Sequence, residues 1–328
     1  MVNAIRIGIA GYGNLGKGVA HAVAQQPDMV CAGIFTRRPA ASIEPVNNKV
    51  PVYPMDAIEQ YADKIDVMVL CGGSRSDLPE QGPALAKWFT TVDSYDTHAK
   101  IPEYYAALDD AASAAGTTAV LSVGWDPGLF SINRLYGETV LADGATYTFW
   151  GKGLSQGHSD AVRRVEGVSQ AVQYTIPSEE AIAKVRAGGA PELTTGEKHT
   201  RECYVVLEEG ADAAKVEEAI VTMPDYFADY STTVHFITAE ELAAEHSAMP
   251  HGGFVIRCGN TGAGSRQVME YSLTLDSNPE FTSSVLTAYA RAAHKLSRSG
   301  QHGAKTVFDI APGLLSPKDP AQLRKELL

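Results

Sequence analysis

The sequence is short of cysteine, of basic charge and of long apolar runs, and each shortage excludes a class of protein. Four cysteines, Cys31, Cys71, Cys203 and Cys258, are scattered over 328 residues and form no CxxC pair. That spacing argues against a disulfide framework and a structural zinc, and no metal is expected. Reduced thiols in a cytoplasmic protein are expected instead. Lys and Arg number 27 against 39 Asp and Glu, a net charge of −12. A nucleic-acid partner is therefore disfavoured, since phosphate backbones require a basic face. A local basic pocket for a small anion is still permitted. No apolar run reaches the roughly 18 residues of a membrane span. The opening "MVNAIRIGIAGYG" has no basic region followed by an apolar one, so neither membrane nor signal peptide is expected. Repeats and low-complexity segments are also missing. What remains is an ordinary soluble composition, 45% apolar and 20% charged, in a chain long enough for two domains.

Up to about residue 125 strand and helix alternate. "AIRIGIA" ends at Gly11; "NLGKGVAHAVAQQ" has helical spacing; "VCAGIFT", "IDVMVLC", "TTVDSY" and "TTAVLSVGW" read as strands; "IPEYYAALDDAASAAG" reads as a helix closed by Gly116. This rhythm predicts an α/β fold, a Rossmann-like doubly wound parallel sheet over residues 1–125. From 126 to 300 the strands lengthen and alternate, as in "AVQYTIP", "RECYVVLEE", "GFVIRCG" and "QVMEYSLTLD". A second α+β domain with a mixed sheet is expected there, for substrate binding and dimerisation. The tail, about 300–328, is expected to return to the first domain, with a strand in "TVFDIAPGLLSP".

"GYGNLG" sets Gly11, Gly13 and Gly16 in the GxGxxG spacing, with Tyr12, Asn14 and Leu15 between them. It follows an apolar strand and opens a helix, the context dinucleotide binding requires. The first glycine allows the turn, the second lets backbone approach pyrophosphate, and the third lets helix pack on strand. About twenty residues on, an acid usually grips the ribose. Here stand Thr36, Arg37 and Arg38. A carboxylate would repel a 2′-phosphate, whereas a hydroxyl and two guanidinium groups bind one, so NADP is expected over NAD. "CGGSRSD" follows another strand, and Cys71, Gly72, Gly73 and Ser74 are expected to pass the cofactor.

Ligands of open α/β sheets bind beyond the carboxyl ends of strands. Two such ends are acidic: "TTVDSYDTH", with Asp93, Asp96 and His98, and "SVGWDPG", with Trp125 and Asp126. Two carboxylates there suit an ammonium group, with Trp125 walling off water. Capping offers a competing explanation, since Asp126 before Pro127 resembles a helix start.

Together these stretches resemble meso-diaminopimelate dehydrogenases, NADP-dependent enzymes of bacterial lysine and peptidoglycan metabolism. "GYGNLG", "GIFTRRP", "VDSYDTH", "GWDPGLFSINR", "FWGKGLSQGHSDAVRR", "VQYTIPS", "MPDYF", "MPHGG" and "NPEFT" occur in order along most of the chain. "GLSQGHSDA" and "GWDPG" carry far more specificity than the glycine motif. Lys152 in "WGKG" stands where a close relative would be expected to have proline. The resemblance implies a homodimer, with meso-diaminopimelate as substrate, bound between the nicotinamide and the second domain. It implies that Asp96, Trp125 and Asp126 surround the reacting D-centre and that Ser155, Gln156 and Gly157 lie near its carboxylate. Trp150, Thr175, Arg201, His251 and Asn278 are implied around the distant L-centre. Arg201 suits a distal carboxylate because guanidinium pairs with it bidentately. The implied reaction is reversible oxidative deamination at the D-centre. Asp96, Asp126 and His158 are all candidates for the proton-accepting base.

Two alternatives compete with this expectation. One is another NADP-dependent amino-acid or semialdehyde oxidoreductase of the same architecture. The other is a non-catalytic NADP sensor, which would need the glycine turn and arginines but no polar set in the second domain.

Overall fold

The computed structural model describes residues 4–328. The chain begins β1 (Ile5–Ala10), α1 (Asn14–Ala24), β2 (Met29–Thr36), β3 (Val52–Pro54), β4 (Val67–Leu70), α2 (Leu78–Ala86), β5 (Thr91–Asp93), α3 (Ile101–Ala115), β6 (Thr118–Val120) and α4 (Leu129–Val140). There follow β7 (Asp143–Trp150), β8 (Gly153–Leu154), α5 (Gln156–Arg163), β9 (Val168–Pro177), α6 (Glu179–Arg186), α7 (Thr195–Lys198), β10 (His199–Leu207), α8 (Ala213–Val221), β11 (Ser231–Phe236), α9 (Ala239–Glu245), β12 (His251–Thr261) and β13 (Ser265–Leu275). The chain closes with α10 (Asn278–Arg298), β14 (Gly303–Lys305) and α11 (Pro320–Leu327).

Residues up to Ile132, with Pro279–Leu328, form one compact unit. Its sheet runs in the order β14-β6-β5-β4-β1-β2-β3 and is parallel throughout. The order reverses at β1, the switch point where such sheets bind ligands. Both faces are covered, which explains why β4 is apolar at every position. Ile7, Ile9, Val67 and Val69 pack with Val19, Leu286, Tyr289 and Ala293 of α1 and α10. Met68 and Leu70 face the other way, towards Leu85, Leu108 and Ala112 of α2 and α3. Gly116 ends α3 in the left-handed region, at φ 69°.

Asn133–Asn278 form the second unit. It holds two sheets where one was expected. β11-β10-β9-β8 is mixed, with β10 and β11 parallel; β13-β12-β7 is antiparallel. On the first, α5 and α8 bury Val162, Val216 and Ile220 against Ala171, Cys203 and Val205. On the second, α6 buries Ile182 and Val185 against Tyr147, Phe149 and Ile256.

Three details depart from the sequence reading. The borders expected at 125 and 300 fall at 132 and 278, because α10 buries its apolar stripe on the first sheet and so belongs with it. The tail strand is "GAK" (Gly303–Lys305), while "TVFDI" forms a single 3-10 turn at Val307–Asp309. Thr306 and Asp309 make a capping box that closes that turn. Finally, β6 stops at Val120, short of the strand read through "LSVGW". Ser122 there has φ 57°, outside the extended region. Among the described residues, no helix is long and apolar enough to cross a membrane.

Candidate functional site

The glycine turn lies where β1 hands over to α1. Gly11 has φ +97°, a conformation that other residues rarely adopt. A Cβ on Gly16 would come within 2.1 Å of the Gly11 carbonyl oxygen, so only glycine lets the helix pack on the turn. A Cβ on Gly13 would meet nothing within 4 Å, which leaves room for a ligand against the backbone. Gly13 is the N-cap of α1 and provides no capping side chain. The first-turn N–H groups are thus suited to an anion. A cavity of about 270 Å³ opens here, lined by Gly11, Tyr12, Gly13, Thr36, Arg37, Arg38, Cys71, Gly72 and Gly73 among others.

At the rim, Arg37 is 75% exposed and pairs with Asp77 at 2.9 Å. Arg38 donates from Nη2 to the Tyr12 carbonyl, and its backbone N–H donates to Thr36 Oγ1 at 3.1 Å. Asp77 also accepts from Gly73 N–H at 2.8 Å, fixing the loop after β4. This glycine cradle with two cations and no acid at the end of β2 fits a phosphorylated dinucleotide. Sequence reading missed Asp77, Met55 and Gln81, which also line the cavity. Ser74 is displaced from the lining; its Oγ accepts from Asp96 N–H at 2.9 Å. That bond ties the loop after β4 to the loop after β5, where the Asp96 carboxyl is exposed.

The acids near the strand ends differ in kind. Asp93 is fully buried and accepts from Tyr95 N–H (2.9 Å), Ser122 N–H (3.2 Å) and Tyr104 Oη (2.8 Å). Burial pushes its carboxyl up to about 6. Asp93 ties the end of β5 to α3 and to the segment after β6. Trp125 is 7% exposed and packs edge-on to Phe130, with ring centroids 5.2 Å apart. Asp126 is half-buried, and α4 begins at Leu129. No group of three His, Cys, Asp or Glu among the described residues is arranged to hold a metal.

In the second unit most predicted residues adjoin one another. Arg201 on β10 stands opposite Thr175 on β9, and its Nη1 donates to Thr175 Oγ1. Gly153 pairs with Thr175 on the other edge, and a Cβ there would strike the His251 ring at 2.5 Å. Ser155 caps α5, and its Oγ lies 2.8 Å from His158 Nδ1. Gln156 Nε2 donates to Met249 Sδ, and Asn278 N–H donates to the Met249 carbonyl at 3.0 Å. Trp150 N–H donates to His199 Nε2 at 2.9 Å, and the two rings stack. Gly157 lies exposed in the first turn of α5.

Arg201 is 6% exposed and forms no ion pair with any described residue. Tyr230 covers its guanidinium, with the ring centroid 3.9 Å away. Burial draws the Arg201 pKa below its ordinary value, and the Tyr230 hydroxyl opposes that. Two histidines feel both this burial and this cation. His158 is lowered to about 4 and His199 to about 3, by burial first and the Arg201 charge second. His158 lies edge-on to Tyr226 and Phe227. His199 and Tyr230 escaped the sequence reading. The signal for His199 was the period of two along β10, which puts it on the face of Arg201. An unpaired buried cation among neutral groups is suited to receive a carboxylate.

Residues 124–277 match the family model described as the diaminopimelic acid dehydrogenase C-terminal domain. The meso-diaminopimelate D-dehydrogenase of Lysinibacillus sphaericus is 64% identical over 327 residues, covering 100% of both chains. A substituted meso-diaminopimelate dehydrogenase of Clostridium tetani, solved with diaminopimelate, is 56% identical at TM-score 0.95, covering 99% of this chain and 100% of that one. An engineered D-amino acid dehydrogenase bound to NADP+ is 47% identical at TM-score 0.87, with coverage of 99% and 100%. Identity of this extent along the whole length places the chain in the meso-diaminopimelate D-dehydrogenase family.

Proposed function

We propose that this chain catalyses the reversible NADP-dependent oxidative deamination of meso-2,6-diaminopimelate at its D-centre, in lysine biosynthesis. The products are L-2-amino-6-oxopimelate, which can cyclise to tetrahydrodipicolinate, and ammonia. The observation that carries the reading is Arg201, a buried guanidinium with hydroxyl and aromatic neighbours and no acid. Such a group binds the carboxylate of an end that does not react. Thr175, His251, Asn278 and Trp150 are assigned to that L-end, and Ser155, Gln156 and Gly157 to the D-end carboxylate. Anchoring one end by hand and length leaves only the other to react.

Gly11–Gly16 and Cys71–Gly73 are assigned to the cofactor's pyrophosphate and neighbouring groups, and Thr36, Arg37 and Arg38 to its 2′-phosphate. NADP, when bound, supplies the hydride acceptor. Asp96 and Asp126 are assigned to the D-centre ammonium, with Trp125 excluding water beside them. Loss of hydride from the α-carbon needs a neutral amine, so one of these carboxylates takes a proton from the ammonium. His158 is the weaker candidate: its Nδ1 is engaged with Ser155, and burial, with the Arg201 charge second, disfavours its protonation. Water then adds to the imine carbon and ammonia leaves.

The chain is further proposed to act as a cytoplasmic homodimer. Supporting this, the long edge strand β13 exposes Val268 and Met269, and α4 exposes Leu135, Tyr136 and Val140. Sedimentation velocity should give twice the chain mass; a monomer would remove this part. The activity is tested by NADP-linked oxidation of the three diaminopimelate isomers. Turnover of meso with none of L,L is expected. Equal rates on both, or none on any, would refute the reading.

A further inference from the structure

The face of β9 and β10 that carries Arg201 holds a second buried polar side chain. Gln173 is 0% exposed, and neither its Oε1 nor its Nε2 has a hydrogen-bond partner. A carboxamide removed from water without partners is costly, and most folds avoid it. Its backbone is fully engaged: its N–H donates to Ser159 Oγ at 2.9 Å, and its carbonyl accepts from Ser155 N–H at 3.0 Å. Gln173 is thereby pinned beneath the first turn of α5.

The strand register tells what lies beside it. Thr175 pairs with Arg201, and Gln173 pairs with Cys203. Alternation puts all four side chains on one face. Gln173 and Arg201 are then diagonal neighbours, at roughly 7–8 Å between backbones, a gap two long side chains span. Arg201 has a complementary defect, because its Nε–H is buried and also has no partner. An orphan acceptor and an orphan donor thus share one cross-strand cell.

We propose that Gln173 is a positioning residue for Arg201, its Oε1 accepting the Nε–H when a carboxylate engages the outer edge of the guanidinium. The proposal rests on the assignment of Arg201 as the distal anchor. Thr175 holds a single Nη and Tyr230 covers a face, which leaves rotation in the guanidinium plane weakly restrained. A bond at Nε removes that freedom. Gln173 is neutral, so it orients the cation without competing for its charge. A glutamate at this position would compete.

The test uses the full-length enzyme, with KM measured separately for meso-diaminopimelate and NADP, and with thermal unfolding. Gln173→Met keeps the volume and removes both orphan ends. It should raise the substrate KM about tenfold, leave the NADP KM unchanged and leave Tm equal or higher. Gln173→Glu should raise the substrate KM further, by about 100-fold, as its carboxylate captures the guanidinium. In an Arg201→Met background Gln173→Met should add nothing. Unchanged substrate KM in both Gln173 variants, or a full additional loss in the Arg201→Met background, would overturn the proposal. Should Gln173→Met fail to fold, Gln173→Asn, which retracts the amide by one methylene, carries the same KM expectation. A normal substrate KM for Arg201→Met alone would remove the anchor, and that failure is read independently of any Gln173 variant.

Discussion

Arg291 in the first unit and Arg201 in the second are both almost fully removed from water, with opposite surroundings. Arg291 donates to both Asp28 oxygens at 2.6 and 2.7 Å, to Gln26 Oε1 and to the Leu315 carbonyl. Arg201 meets Thr175 and Tyr230, and its charge reaches two histidines whose protonation burial already disfavours. The first cation is saturated inside the fold and holds the tail against α10 and the loop after α1. The second retains hydrogen-bonding capacity and charge. Burial alone therefore does not mark an arginine as structural; the count of its acceptors does.

That contrast predicts a crossover, which is also the largest expected effect. Arg291→Met removes four hydrogen bonds of a buried cation and leaves the half-buried Asp28 without its partner; hydrogen bonds to charged groups are worth about 1.5–3 kcal/mol each, so Tm should fall while KM values of the folded fraction hold. Arg201→Met should leave Tm unchanged or raised. Its substrate KM should rise about 100-fold, from the loss of charged hydrogen bonds worth about 1.5–3 kcal/mol, with NADP binding intact. Calorimetry and steady-state kinetics on the two proteins decide it; both variants losing stability alone would erase the contrast.

A smaller effect separates buried from exposed cations. Arg37 is largely exposed, so its contribution is screened by salt. Replacing Arg37 and Arg38 with alanine should lower the NADP-to-NAD preference by about tenfold or more. Raising salt should weaken NADP binding more than substrate binding. An unchanged cofactor ratio in the double variant would remove the 2′-phosphate assignment.

The smallest effect concerns pH. The folded value of about 3 for His199 lies below the ordinary histidine value of about 6.5, so the unfolded chain takes up a proton that the folded chain refuses. Stability from this group is present above pH 6.5 and is lost as pH falls towards 3. Asp93, raised to about 6, acts oppositely: its contribution is present below the ordinary carboxylate range and is lost as pH rises through 6. Tm against pH for His199→Gln, whose amide can still accept from Trp150 N–H, should fall less steeply on acidification than for the parent. Parallel curves would show that His199 does not titrate in this way.

Much of the first unit was legible in the chain because its signals are local. A glycine turn, a two-sided apolar strand and the absent acid after β2 each lie within a few residues, and each has one physical cause. Asp93 and Asp96 could not be told apart locally, since only the packing of Tyr104 and Ser122 buries one of them. The second unit was harder to read. Arg201 is one strand residue among many, and its meaning comes from Thr175 across the ladder and Tyr230 before the next strand. Its assignment from sequence came through family resemblance. Tyr230 and Gln173 stayed invisible because no local pattern distinguishes a pocket wall from a core, and the alternation that sets His199 on the face of Arg201 becomes informative only once Arg201 is known to matter.

The most direct measurement compares meso-diaminopimelate with D-lysine, which lacks only the distal carboxylate, in the parent enzyme and Arg201→Met. The parent is expected to favour meso-diaminopimelate strongly in kcat/KM, and Arg201→Met to bring it down to the D-lysine level while leaving D-lysine unchanged. An equal fall on both substrates would contradict the carboxylate anchor.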